Sequence, residues 1–143
     1  MGFPLIVLDA SAALALLLAE QEGGKAAALI EKTIDRNGQI FVPGVFWHEL
    51  GNGMLTAERQ NRMNRRQITD AEGYFSRLPI VTQGFSDPVH RQKTYELARE
   101  HELSFYDASY LELALRLQAS LATCDAHLAG LKSLYPRVFA DID

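Results

Sequence analysis

The chain has a single cysteine and four histidines in 143 residues, no surplus of basic charge, and no apolar run long enough to cross a bilayer. A lone Cys124 excludes an internal disulfide and most cysteine-built metal sites. Because it closes an apolar run, it reads as a small buried hydrophobe in a reducing compartment. The first twenty residues lack a basic segment, and Asp9 interrupts their apolar stretch, so neither a secretory signal nor a membrane anchor is expected. Ile6 stands where N-myristoylation requires Ser or Thr. These absences predict a cytoplasmic protein. The formal net charge of -4, from 18 Asp plus Glu against 14 Lys plus Arg, argues against non-specific nucleic-acid binding. If four carboxylates are engaged by a cation, however, 14 acids face 14 bases, so charge alone excludes no substrate class. There is no repeat, low-complexity tract or internal linker. At 48% apolar and 22% charged, the sequence predicts one globular domain over residues 1–143.

What is present first is a buried strand running straight into a helix. Leu5-Ile6-Val7-Leu8 shows no polar alternation, as in a strand covered on both faces. Asp9 ends it, Ser11 follows, and an alanine–leucine helix begins at once. Further along, Glu22-Gly23-Gly24 predicts a break and Lys25–Arg36 an amphipathic helix stopped by Asn37-Gly38. Gln39–Val42 predicts a strand and Val45–Arg59 a helix. Thr69–Arg77 predicts another helix, capped by Thr69 with Glu72 three residues on. Leu78–Val81 reads as an edge strand because of Pro79. Ser86-Asp87-Pro88 opens a helix to His101. The next helix, through Leu117, is apolar on nearly all sides and therefore central. Ser120–Cys124 predicts a strand, Asp125–Leu134 a helix and Arg137–Ala140 a last short strand. Strands alternating with helices imply a mainly parallel, twisted sheet covered on both faces, a three-layer α/β/α sandwich.

Four carboxylates stand out against that scaffold. Asp9, Asp107 and Asp125 sit where helices begin, and singly each is the residue expected of an N-cap; Ser104-x-x-Asp107 even matches a capping box. Their shared placement argues for more. Asp9 and Asp125 both follow buried strands, so both emerge at one edge of a parallel sheet, and each has a hydroxyl two residues away, Ser11 and Thr123. Glu49 falls within the apolar stripe Val45, Phe46, Leu50, Gly53, Met54 and Ala57, where a bare carboxylate must be paired or coordinating. An arginine from Arg59–Arg66 is the plain alternative partner. Gly51 and Gly53 weaken that helix by about 1 kcal/mol each relative to alanine, which makes sense where backbone must approach something closely. Gathered carboxylates repel one another unless a cation is present, and oxygen ligands without cysteine favour Mg²⁺ or Mn²⁺. Such a site polarises a phosphoryl oxygen and activates water for in-line attack.

With these residues in view, the sequence resembles the PIN-domain nucleases, and among them the toxin ribonucleases of VapBC toxin–antitoxin pairs. The likeness covers nearly the whole chain: Leu5 to Ser11, Pro43 through Trp47-His48-Glu49 to Asn52, Leu103 to Ala114, which is the most specific stretch, and Leu121 to Leu128. Gly44, Gly51 and Gly53 depart from the usual bulkier residues. The resemblance implies a Mg²⁺-dependent endoribonuclease leaving a 3′-hydroxyl and a 5′-phosphate, a homodimer, and a cognate antitoxin. Asp9, Glu49, Asp107 and Asp125 are then expected to hold the ion or ions, with Ser11, Asn52 and Thr123 orienting ligands and water.

Other motifs were weaker. His48-Glu49-Leu50-Gly51-Asn52 lacks the second histidine of a zinc protease, and Gly23-Gly24-Lys25-Ala26 lacks the first glycine and the hydroxyl of a phosphate loop. His90, His101 and His127 read as surface or cap residues. Arg59, Arg62, Arg65 and Arg66 suit either a phosphate grip or a solvated helix end. Trp47, Tyr74, Phe75 and Tyr106 read as core or dimer contacts. Two rival functions stand beside the nuclease. One is a non-catalytic partner-binding module of the same fold, disfavoured by four intact acids. The other is a Mg²⁺-dependent phosphotransfer domain, which needs a lysine near a strand end; none of Lys25, Lys32, Lys93 and Lys132 is placed there.

Overall fold

Val7, Leu8, Ile40, Val42 and Leu121 are wholly shielded from solvent, as runs without polar alternation require. They belong to three of the four strands in the computed structural model, which describes residues 4–20 and 23–139. The strands are β1 (Leu5–Leu8), β2 (Gln39–Pro43), β3 (Ile80–Gln83) and β4 (Ser120–Ala122). They form one sheet in the order β3-β2-β1-β4, and each neighbouring pair is parallel. Seven helices accompany them among the described residues: α1 (Ala10–Leu17), α2 (Gly23–Asp35), α3 (Val45–Arg59), α4 (Arg65–Arg77), α5 (Pro88–His101), α6 (Phe105–Leu117) and α7 (Ala126–Ala129).

The strand order places the helices. The chain steps from β1 to β2 to β3 in one direction, then returns past β1 to β4. Parallel crossovers are right-handed, so this reversal puts α1–α4 on one face and α5 and α6 on the other, the expected three-layer sandwich. Residues Ala108 to Ala114 of α6 are all buried, and the helix packs on β1, β2 and β4. The reversal also opens a crevice between the carboxyl ends of β1 and β4, the position where open α/β sheets take their ligands.

Several local expectations are corrected. The start of α2 is at Gly23, two residues before Lys25, and a Cβ there would lie 2.3 Å from the Ala15 carbonyl oxygen, so α2 presses on α1. Glu22 of the expected break lies outside the described residues. Helix α4 is capped by Asn64, not Thr69. The Asn64 side chain accepts the Gln67 N–H at 2.8 Å, and the Gln67 side chain accepts the Asn64 N–H at 2.8 Å. Thr69 lies inside the helix and donates to the Arg65 carbonyl at 3.1 Å.

At the C-terminal side, α7 ends at Ala129 instead of reaching Leu134. Beyond Gly130 the hydrogen bonds tighten to three-residue turns, Leu131 N–H to Leu128 O and Lys132 N–H to Ala129 O. The strand expected over Arg137–Ala140 is reduced to one bridge between Leu121 and Phe139, with Ala140 outside the described residues. At the opposite edge, β3 starts after Pro79 and is half-open to solvent, as an edge strand should be.

Candidate metal centre

The crevice is built from β1 outward. The Asp9 N–H bonds the Ala122 carbonyl at 3.0 Å, so the pairing of β1 with β4 continues to the last residue before α1. This pulls Asp9 inward to only 4% exposure. Its Oδ2 is then held from two sides: Thr123 donates at 2.5 Å and Ser11 at 3.0 Å. Both hydroxyls are oriented in turn. Ser11 Oγ accepts the Cys124 N–H at 2.9 Å, and Thr123 Oγ1 accepts the Asp125 N–H at 3.0 Å. The backbone N–H groups thus seat both hydroxyls against Asp9, and the two hydroxyl oxygens stand 3.2 Å from each other. Cys124 itself is half-buried at the edge of the core, more open than its apolar run predicted.

Helix α3 brings Glu49 to the same crevice. Phe46, Leu50, Met54 and Ala57 form the buried stripe, and Glu49 stands at its margin, half-buried. Its partner is no arginine: the Tyr110 hydroxyl on α6 donates to Glu49 Oε1 at 2.7 Å. Arg62, from the segment proposed to pair with it, bonds Glu20 at 3.3 Å instead. Gly53 meets the close-approach expectation, since a Cβ there would lie 2.4 Å from Leu14 Cδ1 on α1; Gly51 does not, having open space around it. Asn52 reaches the crevice from the same helix.

The remaining acids come from α6 and the start of α7. Ser104 caps α6 by accepting the Asp107 N–H at 3.0 Å, while the reciprocal carboxylate-to-backbone bond of a capping box is absent among the described bonds. Asp107 is thus not occupied as a cap. Asp125 does cap α7 through Oδ1, which accepts the Leu128 N–H at 3.0 Å. Ligand atoms of Asp107, Asp125 and His127 lie within 4.8 Å of one another. His127, set aside on sequence grounds as a surface residue, is exposed but stands beside two of the candidate acids.

Asp9, Ser11, Glu49, Asn52, Asp107 and Asp125 line one cleft of about 310 Å³, and Thr123 stands directly behind Asp9. The electrostatics record the crowding. Burial pushes the Asp9 carboxyl up to about 6, with Glu49 adding to the rise and the Thr123 and Ser11 bonds opposing it. Burial also raises Asp107, helped by the charges of Asp125 and Glu49 and opposed by Ser104 and His127. Tyr110, wholly buried, is held far above its ordinary value by burial and by the charges of Asp9 and Glu49, so it remains a donor to Glu49. Among the described residues no lysine or arginine lines the cleft. An oxygen-rich set in which Glu49 raises Asp9, and Asp125 and Glu49 raise Asp107, fits a hard divalent cation.

Among the residues read as core or dimer contacts, Phe75 is buried and Trp47 donates to Thr82 Oγ1 at 2.9 Å, but Tyr106 is 59% exposed. Tyr110 is the residue sequence reasoning missed. The only signal for it was its spacing, three residues after Asp107 on a helix, which puts both on neighbouring faces.

Comparison with known proteins agrees with the fold. The PIN domain family model matches residues 6–133. Ribonuclease VapC12 of Mycobacterium tuberculosis is 34% identical over 132 residues, covering 87% of this chain and 90% of that one. The crystal structure of PAE2754 from Pyrobaculum aerophilum superposes with a TM-score of 0.62 at 20% identity, over 94% of this chain and 89% of that one. That of Mycobacterium tuberculosis VapC20, described as a Sarcin-Ricin loop cleaving toxin, gives 0.60 at 19% identity, over 87% and 93%. Sharing the family's sequence pattern over most of its length and the fold of these two structures, the chain belongs to the PIN-domain family, among relatives that carry the VapC name.

Proposed function

We propose that this protein is a Mg²⁺- or Mn²⁺-dependent endoribonuclease acting as the toxin of a type II toxin–antitoxin pair. One observation carries the reading: four carboxylates from distant points of the chain, Asp9, Glu49, Asp107 and Asp125, line a single cleft that no lysine or arginine among the described residues lines. The names of its relatives support the choice of RNA as substrate.

In this reading the four acids hold the ion or ions, with His127 beside Asp107 and Asp125 as a further donor. A divalent cation bound there supplies Lewis acidity toward a phosphoryl oxygen and lowers the pKa of a bound water. The chain's own contribution is orientation. Ser11 and Thr123 hold Asp9 Oδ2, which leaves Oδ1 with only the long 3.4 Å contact from the Ser11 N–H. Tyr110 holds Glu49 Oε1 and leaves Oε2 for the cleft. Asp125 keeps Oδ2 while Oδ1 caps α7. Asn52, at the open side, orients substrate or water. Without the cation the same acids repel a phosphodiester, so RNA binding at the cleft depends on the ion.

The proposal includes a cognate antitoxin, a homodimer, a single domain over residues 1–143 and a cytoplasmic location. Among the described residues no helix is long and apolar enough to cross a membrane. The test is cleavage of RNA by purified protein with Mn²⁺, with and without a chelator. Products bearing a 3′-hydroxyl and a 5′-phosphate, lost on chelation and lost in folded Asp107→Asn, are expected. Cleavage that survives either change overturns the reading. A folded protein that binds Mn²⁺ yet cuts no RNA leaves the partner-binding module in its place.

A further inference from the structure

A second cavity, of about 300 Å³, lies along α6 beside the metal cleft. It is walled by the end of β2 entering α3, the segment after β3, and one face of α6, and its surface is mostly apolar. Tyr106 and Ser109, which line it, stand on α6 on either side of Asp107, which lines the metal cleft, so one helix borders both cavities. Their chemistry is opposite. The metal cleft is lined with acids, whereas among the described residues no acid lines the second cavity and its one charged residue is Arg116.

Arg116 is held in an uncommon way. Its Nε donates to both carboxylate oxygens of Glu112, at 3.1 and 2.9 Å, and Glu112 is only 2% exposed. A buried glutamate needs such a partner, and that alone explains the pair. It does not explain the outer edge of the guanidinium. The two Nη groups make no hydrogen bond to any described residue, and no buried side-chain nitrogen or oxygen among them lacks a partner, so the Nη groups are reached by solvent. Glu112 thus fixes Arg116, a residue that lines the cavity, from the side and leaves its fork without another described partner. The ring of Phe105 is also fixed, 5.7 Å from Phe85 and 4.7 Å from Tyr95, while the exposed Tyr106 forms a second aromatic wall.

From this arrangement we infer that the cavity is a nucleobase subsite that reads guanine in the RNA flanking the scissile bond. The inference rests on the ribonuclease reading above. Aromatic walls stack an unpaired base, and an arginine fork matches the paired acceptors O6 and N7 of guanine better than any other base edge. Arg116 lies nine residues beyond Asp107, about 13 Å along the helix axis, a distance that a dinucleotide spans. A cavity this small, with few polar groups placed in apolar walls, has the size of a single base with its sugar and not of a helix.

The test is cut-site sequencing of an unstructured RNA library digested with Mn²⁺. Wild type is expected to favour guanine at one position within two nucleotides of the cut, by about tenfold over the other bases. Arg116→Met removes that preference, and Tyr106→Ala weakens it. Wild type without the preference, or Arg116→Met retaining it, overturns the subsite. Circular dichroism checks that the variants fold, and Glu112→Met with Arg116→Met replaces the single variant if the unpaired Glu112 unfolds it. If wild type cuts no RNA, the ribonuclease reading fails, and guanosine monophosphate binding followed by NMR judges the subsite alone. Saturable binding lost in Arg116→Met supports it, and no binding overturns it. A change in sedimentation with unchanged base preference shows a second copy of the chain on this face and also overturns it.

Discussion

The two sides of the metal cleft are built on different terms. On the β1 side, Asp9 is buried, tied by two hydroxyls that are themselves oriented by backbone N–H groups, and closed in by the β1–β4 ladder. On the α6–α7 side, Asp107, Asp125 and His127 are half-buried or exposed, and Asp107 has no bond that fixes its carboxylate among those described. The first side is preorganised at a desolvation cost, which appears as the raised Asp9 pKa. The second is open, where a substrate must enter and water must be exchanged. If the cleft takes a cation as proposed, the buried side is expected to set affinity for it and the open side its identity.

The largest effect expected is on Asp9 itself. Asp9→Asn keeps the shape but removes the charge, and cleavage should fall by about three orders of magnitude or more, since the electrostatic contribution of such a site is several kcal/mol. Activity of that variant within tenfold of wild type in a Mn²⁺ assay would show that the buried side is not the anchor.

Next comes the pH dependence of the metal-free protein. The Asp9 carboxyl moves from 3.8 to about 6 on folding, so the folded state binds the proton more tightly than the unfolded chain. Its contribution to stability is full below pH 3.8 and is lost as the pH rises through about 6. The loss is on the order of 3 kcal/mol, or roughly 5–10 °C in Tm. Asp107 is shifted in the same direction and adds to the trend. Thermal melts in chelator from pH 4 to pH 7.5 should show the fall in wild type and a flatter profile in Asp9→Asn. Mn²⁺ should restore wild-type stability at pH 7.5, because binding to the folded state alone raises Tm.

Tyr110→Phe sharpens the comparison from the middle of the cleft. It leaves Glu49 Oε1 without its donor, and Mn²⁺ affinity measured by calorimetry should drop by roughly 10–100-fold, the usual result of losing a group that orients a ligand. Stability should change by about 1 kcal/mol. Unchanged affinity would remove Tyr110 from the centre. The smallest effect is at the open side. His127→Ala should weaken Mn²⁺ or Zn²⁺ binding by a few-fold and leave Mg²⁺ binding unchanged, because imidazole suits the softer ions. An equal loss for Mg²⁺ would mean that His127 acts through charge alone.

The elements that stand out in the sequence are those governed by short-range chemistry. The buried strands β1 and β2, the Asp87–Pro88 start of α5 and the central character of α6 each follow from a pattern within a few residues. Where two local patterns compete, sequence reasoning chose wrongly. Thr69 and Asn64 both offer a cap with a partner three residues on, and Asn64 prevails because its bonds with Gln67 close both halves of the box. The length of α7 was overestimated because Gly130, which follows its last residue, was passed over as a stop.

By itself, then, the amino-acid order determined the parallel α/β class, the emergence of Asp9 and Asp125 at one sheet edge, and the need of Glu49 for a partner. These follow from periodicity and from the cost of burying charge, both local properties. Only the tertiary structure decided that Tyr110 is that partner, that Ser11 and Thr123 converge on one oxygen of Asp9, and that His127 joins Asp107 and Asp125. Such contacts join residues separated by 61 and 114 positions. They depend on how α6 crosses α3 and on the reversal of the chain between β3 and β4, which no window of neighbouring residues encodes.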